Sequence, residues 1–462
     1  MKIPTISIFY LLHIMLIHYF KKGKKMILHT VEKGDTLYKL SRQYGVSASK
    51  IAADNGLTNP DILSAGQSLI ILTPIKTYIV RRGDTLFDIA RRFNTSVLKL
   101  WRNNPSLRGK SDLTPGQPIT ISYPPAEYGA ITSNGYAFPN ISREVLRATL
   151  PYLTYLSIFS YNINPDGTLR APDDDELISI SKQYNTLPIL VLTSISQNGG
   201  FSEKLVAEFL QNKESQEKTI NELHKILKKK GYSGIDVDFE YIGKNNADNY
   251  TEFIKNLRQK ICPDGFFVFV DLPPKTSEEQ SGTLYEGQIY KDIGESANAV
   301  MLMTYEWGYT YSPPMPVAPI DKVRKVTEFA VEEIPREKIT LGIPSYGYIW
   351  QLPYEETSRA KNIPSGKAPQ IAFENKTNIQ FDEKAQTPYF TFYEKEGETA
   401  RENIAYFEDA RSIKAKFELA NELGLKGVGY WTVMNYFTQN WVLLNSMFDI
   451  VKGYDVSNFC QN

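Results

Sequence analysis

Histidine, cysteine, net charge and long apolar runs are what this 462-residue chain has least of, and each shortage removes a class of chemistry. The four histidines, His13, His18, His29 and His224, are scattered and joined by no cluster of other ligands, which argues against a zinc site and against a Ser-His-Asp hydrolase. Two cysteines, Cys262 and Cys460, make no disulfide framework, and spacing alone leaves open whether they pair. With 52 basic and 52 acidic residues the chain carries no long-range field for nucleic acid. No metal, cofactor or nucleic-acid partner is expected, so the chemistry must rest on carboxylates. One long apolar run exists, Ile3 to Phe20, followed by Lys21, Lys22, Lys24 and Lys25. It is long enough to span a membrane but has no small-residue cleavage site after it. Either Met26 is the working start and residues 1–25 are an upstream artefact, or the run is a signal anchor and brings membrane contact.

What is present centres on Gly234-Ile235-Asp236-Val237-Asp238-Phe239-Glu240. Strand side chains alternate between faces, so Asp236, Asp238 and Glu240 share one face and Ile235, Val237 and Phe239 the other. A polar loop, Gly243 to Asn246, follows, and then Tyr250, Phe253, Ile254 and Leu257 recur at helical spacing. Strand, loop, helix is the repeating unit of an α/β barrel, whose functional groups lie at the C-terminal strand ends. Three close acids there cannot all ionise easily, so at least one pKa should be raised. The sparer alternative is a solvent-facing strand with the same alternation.

The length suggests about three units. An internal repeat marks two of them: His29-Thr30-Val31-Glu32-Lys33-Gly34-Asp35-Thr36-Leu37 matches Tyr78-Ile79-Val80-Arg81-Arg82-Gly83-Asp84-Thr85-Leu86. Each copy continues with two short helical stretches and closes on Gly66-Gln67 or Gly116-Gln117 before an apolar strand. Asn55-Gly56-Leu57 recurs loosely as Asn103-Asn104-Pro105. The reading is βααβ over 27–73 and again over 77–122, with Asp35 and Asp84 placed to cap the first helix. Residues 123–128 read as a linker. Beyond it, over 129–455, eight strand-like runs alternate with helical segments. They are Gly129–Phe138, Tyr152–Phe159, Pro188–Thr193, Gly234–Phe239, Phe266–Leu272, Ala299–Thr304, Ile339–Ile343 and Gly427–Trp431. This predicts a (β/α)8 TIM barrel in the α/β class, with a small α+β insertion at about 350–405, between strands seven and eight.

These motifs carry two resemblances. The repeat resembles the LysM module, which implies binding to N-acetylglucosamine-containing polymers such as peptidoglycan or chitin. Its sugar groove would fall on Gly34, Asp35 and Thr36 with Asp61, Ile62 and Leu63. In the second copy it would fall on Gly83, Asp84 and Thr85 with Asp112 and Leu113. For any one of these residues, turn and cap geometry is the simpler role. The run Ser233 to Glu240 resembles the fourth-strand signature DxxDxDxE of family 18 glycoside hydrolases. Met303-Thr304-Tyr305-Glu306, Leu341 to Gly347 and Gly427 to Trp431 resemble its sixth, seventh and eighth strands.

That resemblance implies substrate-assisted retention, in which the sugar's own acetamide oxygen attacks the anomeric carbon. Glu240 would be the general acid and then the base. Asp238 would hold the acetamide, Asp236 would share a proton with Asp238, and Tyr305 would donate to the acetamide oxygen. Trp431 would floor the sugar, and Tyr136, Met303, Glu306, Trp307, Tyr346 and Trp350 would line the cleft, unless they serve the core. Three departures stand out: Ser233 for the first acid, Phe239 for a common Trp, and Glu306 for the sixth-strand Asp. Loss of the first acid is expected to deprive Asp236 of a partner. Glu408, Asp409 and Arg411 read as a helix-start ion pair without chemistry. Together with the modules, the pattern is nearest to spore-germination cortex-lytic N-acetylglucosaminidases, in the spore cortex, coat or cell wall. A chitinase, or a silent wall- or coat-binding protein, are the rival implications.

Overall fold

A computed structural model describes residues 26–396, 399–453 and 460; the apolar run 3–20 lies outside them. Eight parallel strands close into a barrel: 130–137, 155–163, 187–193, 234–238, 267–272, 299–302, 339–344 and 427–431. The first pairs in parallel with both the second and the eighth, which completes the ring. All eight predicted runs are barrel strands. Ile235, Val237 and Phe239 are buried outward against the helix Ala247–Ile261, where Tyr250, Phe253, Ile254 and Leu257 meet them. Each such burial stabilises the fold by roughly 2 kcal/mol relative to exposure. Phe239 stacks on Phe253 at 5.9 Å, so its departure from the family pattern concerns this outer layer and not the cleft. Among the described residues no helix is long and apolar enough to cross a membrane.

Between the seventh and eighth strands sits a five-stranded antiparallel sheet with one short helix, Ala368–Glu374. It starts at Tyr346, earlier than the expected 350. Pro344 ends the seventh strand, and Tyr346–Leu352 turns away as an insertion strand. Asp409 caps the helix Ala410–Glu422 and pairs with Arg411 at 2.7 Å. Glu408 takes a different partner, the buried Lys416, at 2.8 Å.

Each N-terminal module pairs its two strands antiparallel, Ile27–Thr30 with Ser68–Ile71 and Lys76–Ile79 with Pro118–Ser122, and packs two helices on them. The helix caps are Thr36 and Thr85, whose hydroxyls accept from the Lys39 and Asp88 amides. Asp35 and Asp84, expected there, instead accept from the backbone of Glu32 and Arg81 and hold His29 and the Tyr78 hydroxyl. One residue separates a helix-facing position from a turn-facing one, and the hydroxyl wins the cap because it immediately precedes the first helical turn. The true counterpart of Asn55 is Asn104: each bonds both ways to the closing strand, at Ile70 and Thr120.

Both modules are seated on the barrel. Gln439 donates to Asn55 and to the Ser68 carbonyl, the Ile379 amide to Ala65, and Arg411 to Gly66. Tyr152 and Tyr184 donate to the carbonyls of Arg102 and Gly109 in the second module. Cys262 and Cys460 form a disulfide.

Candidate active site

Asp236 and Asp238 point into the barrel from the fourth strand, 0% and 4% exposed, and Glu240 follows at its C-terminal mouth, half-buried. Tyr136 on the first strand reaches across the barrel. Its hydroxyl lies 2.6 Å from Asp236 Oδ2 and 2.6 Å from Asp271 Oδ1 on the fifth strand. A phenol has one proton to donate, so it donates to one carboxylate and accepts from the other, which must be protonated. Burial and the neighbouring charges of Asp236 and Asp238 raise Asp271 well above the usual carboxylate range, so Asp271 is the proton's holder. Ser157 on the second strand gives Asp236 Oδ2 another hydrogen bond at 3.2 Å.

Among the described residues, no lysine or arginine forms an ion pair with Asp236, Asp238, Glu240 or Asp271. Burial first, moderated by hydrogen bonds from Tyr136 and Ser157, pushes Asp236 up to about 6. Asp238 is raised well above its ordinary value by burial and by Glu240 and Asp236. Its Oδ1 is buried and has no protein hydrogen-bond partner. Glu240 is pushed up to about 7, by burial and then by the charge of Glu306. This is where a general acid working near neutrality belongs. Asp236 Oδ2 meets Tyr136 and Ser157, and Asp271 is a further hydrogen-bonding neighbour, while Asp236 Oδ1, like that of Asp238, is buried without a hydrogen-bond partner. Ser233 precedes the strand and falls on the parity of Ile235, so the missing first acid costs Asp236 nothing; Asp271 is its carboxylate neighbour.

Tyr305 lies at the mouth after the sixth strand, its phenol raised by burial and by the charges of Asp271, Asp238, Glu306 and Glu240. Glu306 reaches solvent, yet the dense wall raises its pKa, while Tyr346 and Tyr348 hydrogen-bond to it. Tyr241 and Glu306 have φ of 56° and 63°, the left-handed region that non-glycine residues adopt at a cost of roughly 1–3 kcal/mol. They directly follow Glu240 and Tyr305, so the backbone is bent just where these two side chains are aimed. Trp431 ends the eighth strand, half-buried, with Phe159, Tyr136 and Phe138 against its ring at 5.1, 5.8 and 6.0 Å.

Of the other expected cleft residues, Tyr136 and Trp350 are almost fully buried. Tyr136 is 1% exposed and holds carboxylates, so it is a positioning residue, not a sugar platform. Trp350, 1% exposed, donates to the Ser312 carbonyl in the loop after the sixth strand and packs in a cluster with Val317, Tyr346 and Tyr348. Trp307 packs against the barrel core and Met303 is half-buried beside it. Of the residues expected in the module grooves, Gly34, Thr36, Asp61, Gly83 and Asp112 are exposed, while Leu63 and Leu113 pack on their modules' cores. Asp271, Ser157, Tyr241 and Tyr348 were missed. Only Asp271 had a signal, a lone acid near the end of the apolar run Phe267–Leu272.

This geometry coincides with a family match. The model of glycosyl hydrolases family 18 matches residues 131–435, and that of the LysM domain matches 29–72 and 78–122. The chain belongs to glycosyl hydrolase family 18. It is 38% identical over 434 residues to the cortical fragment-lytic enzyme of Bacillus subtilis (strain 168), covering 92% of this chain and 99% of that one. Crystal structures of the spore cortex-lytic enzyme SleL superpose on it. That of Bacillus cereus does so with a TM-score of 0.79 at 35% identity, over 93% of this chain and 99% of its own. That of Bacillus megaterium QM B1551 gives 0.77 at 36%, over 92% and 98%. This family 18 hydrolase therefore matches its relatives over modules and barrel together.

Proposed function

We propose that this family 18 hydrolase is a retaining β-N-acetylglucosaminidase of spore-cortex peptidoglycan, working by substrate assistance while its LysM modules hold the glycan. The observation that carries the reading is the pairing of a Glu240 poised at about 7 with a buried, unpartnered Asp238 oxygen. Glu240 donates its proton to the glycosidic oxygen as that bond breaks. The sugar's acetamide oxygen closes on the anomeric carbon, giving an oxazolinium ion. Asp238 Oδ1 accepts the acetamide N–H, and Tyr305 donates to the acetamide oxygen. Glu240, now a carboxylate, takes a proton from water, whose oxygen opens the ring with retained configuration. Tyr136, Ser157 and Asp271 fix Asp236 and keep the cluster's charge low. Trp431 offers its face to the sugar. Relatives named as cortex-lytic support the substrate and an association with the cortex or wall.

Glu240→Gln should cut hydrolysis of cortex fragments by roughly 10²–10⁴-fold, the usual worth of a general acid, and leave wall binding intact. Nuclear magnetic resonance of the first-formed product should show the β anomer; the α anomer sinks the mechanism. Faster release from chitin oligomers than from cortex fragments would overturn the substrate.

A further inference from the structure

The loop after the sixth strand carries aromatic surface that the catalytic steps leave unused. Tyr309 and Tyr311 stand on it 39% and 54% exposed, their rings edge to face at 6.0 Å. The insertion holds this loop with three hydrogen bonds. Trp350 Nε1 donates to the Ser312 carbonyl at 2.8 Å, the Tyr354 hydroxyl to that of Tyr311 at 3.1 Å, and the Ala360 amide to that of Thr310 at 2.8 Å. A loop fixed this firmly presents its side chains already ordered, which lowers the cost of binding on them.

The surface borders the reacting bond. Tyr241, 37% exposed, directly follows Glu240, and its phenol is raised by burial and then by Glu240, Tyr309, Tyr285 and Glu306, so these groups stand together at the mouth. Asp238, deeper in the barrel, holds the sugar that is retained, so Tyr241 and Tyr309 on the outer side of Glu240 face the sugar that leaves. Beyond Tyr309 and Tyr311 lies a cation. Arg359, in the connection between the insertion strands Tyr346–Leu352 and Lys361–Pro364, sets its guanidinium carbon 5.4 Å from the centre of the Tyr311 ring. That is within cation–π reach. Arg359 is exposed and forms no ion pair among the described residues, although Glu355 and Glu356 share its connection. Stacking orders a guanidinium and leaves its N–H fork for a bidentate carboxylate. Glu306 and Glu240 would otherwise turn an anionic strand away, and Arg359 supplies the opposite charge.

We propose that Arg359, seated on Tyr311, is a specificity-determining residue that takes a carboxylate carried by the leaving half of the strand. In peptidoglycan that carboxylate belongs to a muramic unit, either on its lactyl group or on an attached peptide. The proposal rests on the glycan reading above. Its consequence is that the insertion, by holding Tyr311 and carrying Arg359, lets the barrel tell an acidic glycan from neutral chitin.

Initial rates of the full-length protein, Arg359→Gln and Arg359→Lys test this on peptide-free cortex glycan strands, on peptide-bearing strands, and on both after their carboxylates are amidated. Arg359→Gln should raise KM for the carboxylate strands roughly tenfold, or about 1.4 kcal/mol. It should hold kcat, because the contact lies away from the reacting atoms, and leave KM for amidated strands where it was. Arg359→Lys should recover part of the loss, since the charge remains without the fork. A loss confined to peptide-free strands assigns the lactyl carboxylate, one confined to peptide-bearing strands the peptide's, and a loss on both assigns either. An equal rise in KM on amidated strands would mean that Arg359 only props Tyr311, and an unchanged KM on every strand would remove it from recognition. Either result overturns the proposal. If the unaltered protein hydrolyses no strand, the glycan reading falls and the proposal with it.

Discussion

Glu306 stands beside Glu240 as a like charge, and after burial it is the cause that raises Glu240 to about 7. Glu306→Gln removes that charge, so Glu240 loses its proton at lower pH. The alkaline limb of the pH–rate profile should move to lower pH, and an unmoved limb would show that burial alone sets the acid. The buried acids also bear on stability. Asp236, Asp238 and Asp271 all have folded pKa values raised above the unfolded value of about 4. Their contribution is therefore fully present below pH ~4 and is lost as pH rises through the folded values, about 6 for Asp236. Asp271→Asn keeps the shape without the charge, so it should raise the melting temperature at pH 8 and change it little at pH 4. Equal changes at both would refute a charge origin. The alternation of Asp236, Asp238 and Glu240 was legible because strand parity is local. Asp271 and the reach of Tyr136 were not, because they join the cluster only through barrel register, which no local spacing encodes.

Elements built from similar sequence fare differently in the two modules, and a matched glycine pair shows why. Gly66 and Gly116 occupy equivalent turns, donating to the carbonyls of Val31 and Val80, with φ of 84° and 89°. A Cβ at Gly116 meets nothing within 4 Å, whereas one at Gly66 would fall 1.8 Å from the Ile379 carbonyl oxygen. Gly116→Ala should cost only the left-handed backbone, roughly 1 kcal/mol. Gly66→Ala adds a clash that pushes the first module off the insertion, so it should melt well below Gly116→Ala. Equal thermal losses would mean the contact contributes nothing. The repeat and the eight barrel strands were readable because each is a local apolar pattern bounded by turns. The insertion's start was not: Tyr346 continues the apolar run of the seventh strand, and the chain's departure after Pro344 is a tertiary choice.

Direct hydrogen bonds join the modules to the insertion and the barrel across the whole molecule. Even the linker is packed, with Tyr123 3.4 Å from Asp54 and Lys50 lying 5.2 Å over its ring. Across the barrel, the Cys262–Cys460 disulfide joins the chain over a separation of 198 residues, tying the C-terminal segment back to the helix after the fourth strand. A loop of that size restricts the unfolded chain by about 5 kcal/mol in the chain-entropy account. The modules contain neither cysteine, so their own stability is untouched by reduction. If they fold independently, reduction with dithiothreitol should split the calorimetric melt, lowering the barrel's transition and leaving the modules'. If the contacts from Gln439, Arg411, Tyr152 and Tyr184 couple them, one endotherm should move down as a unit. A single, jointly shifted transition is the expected outcome. It would mean that loosening a bond far from the modules also loosens their grip on the barrel.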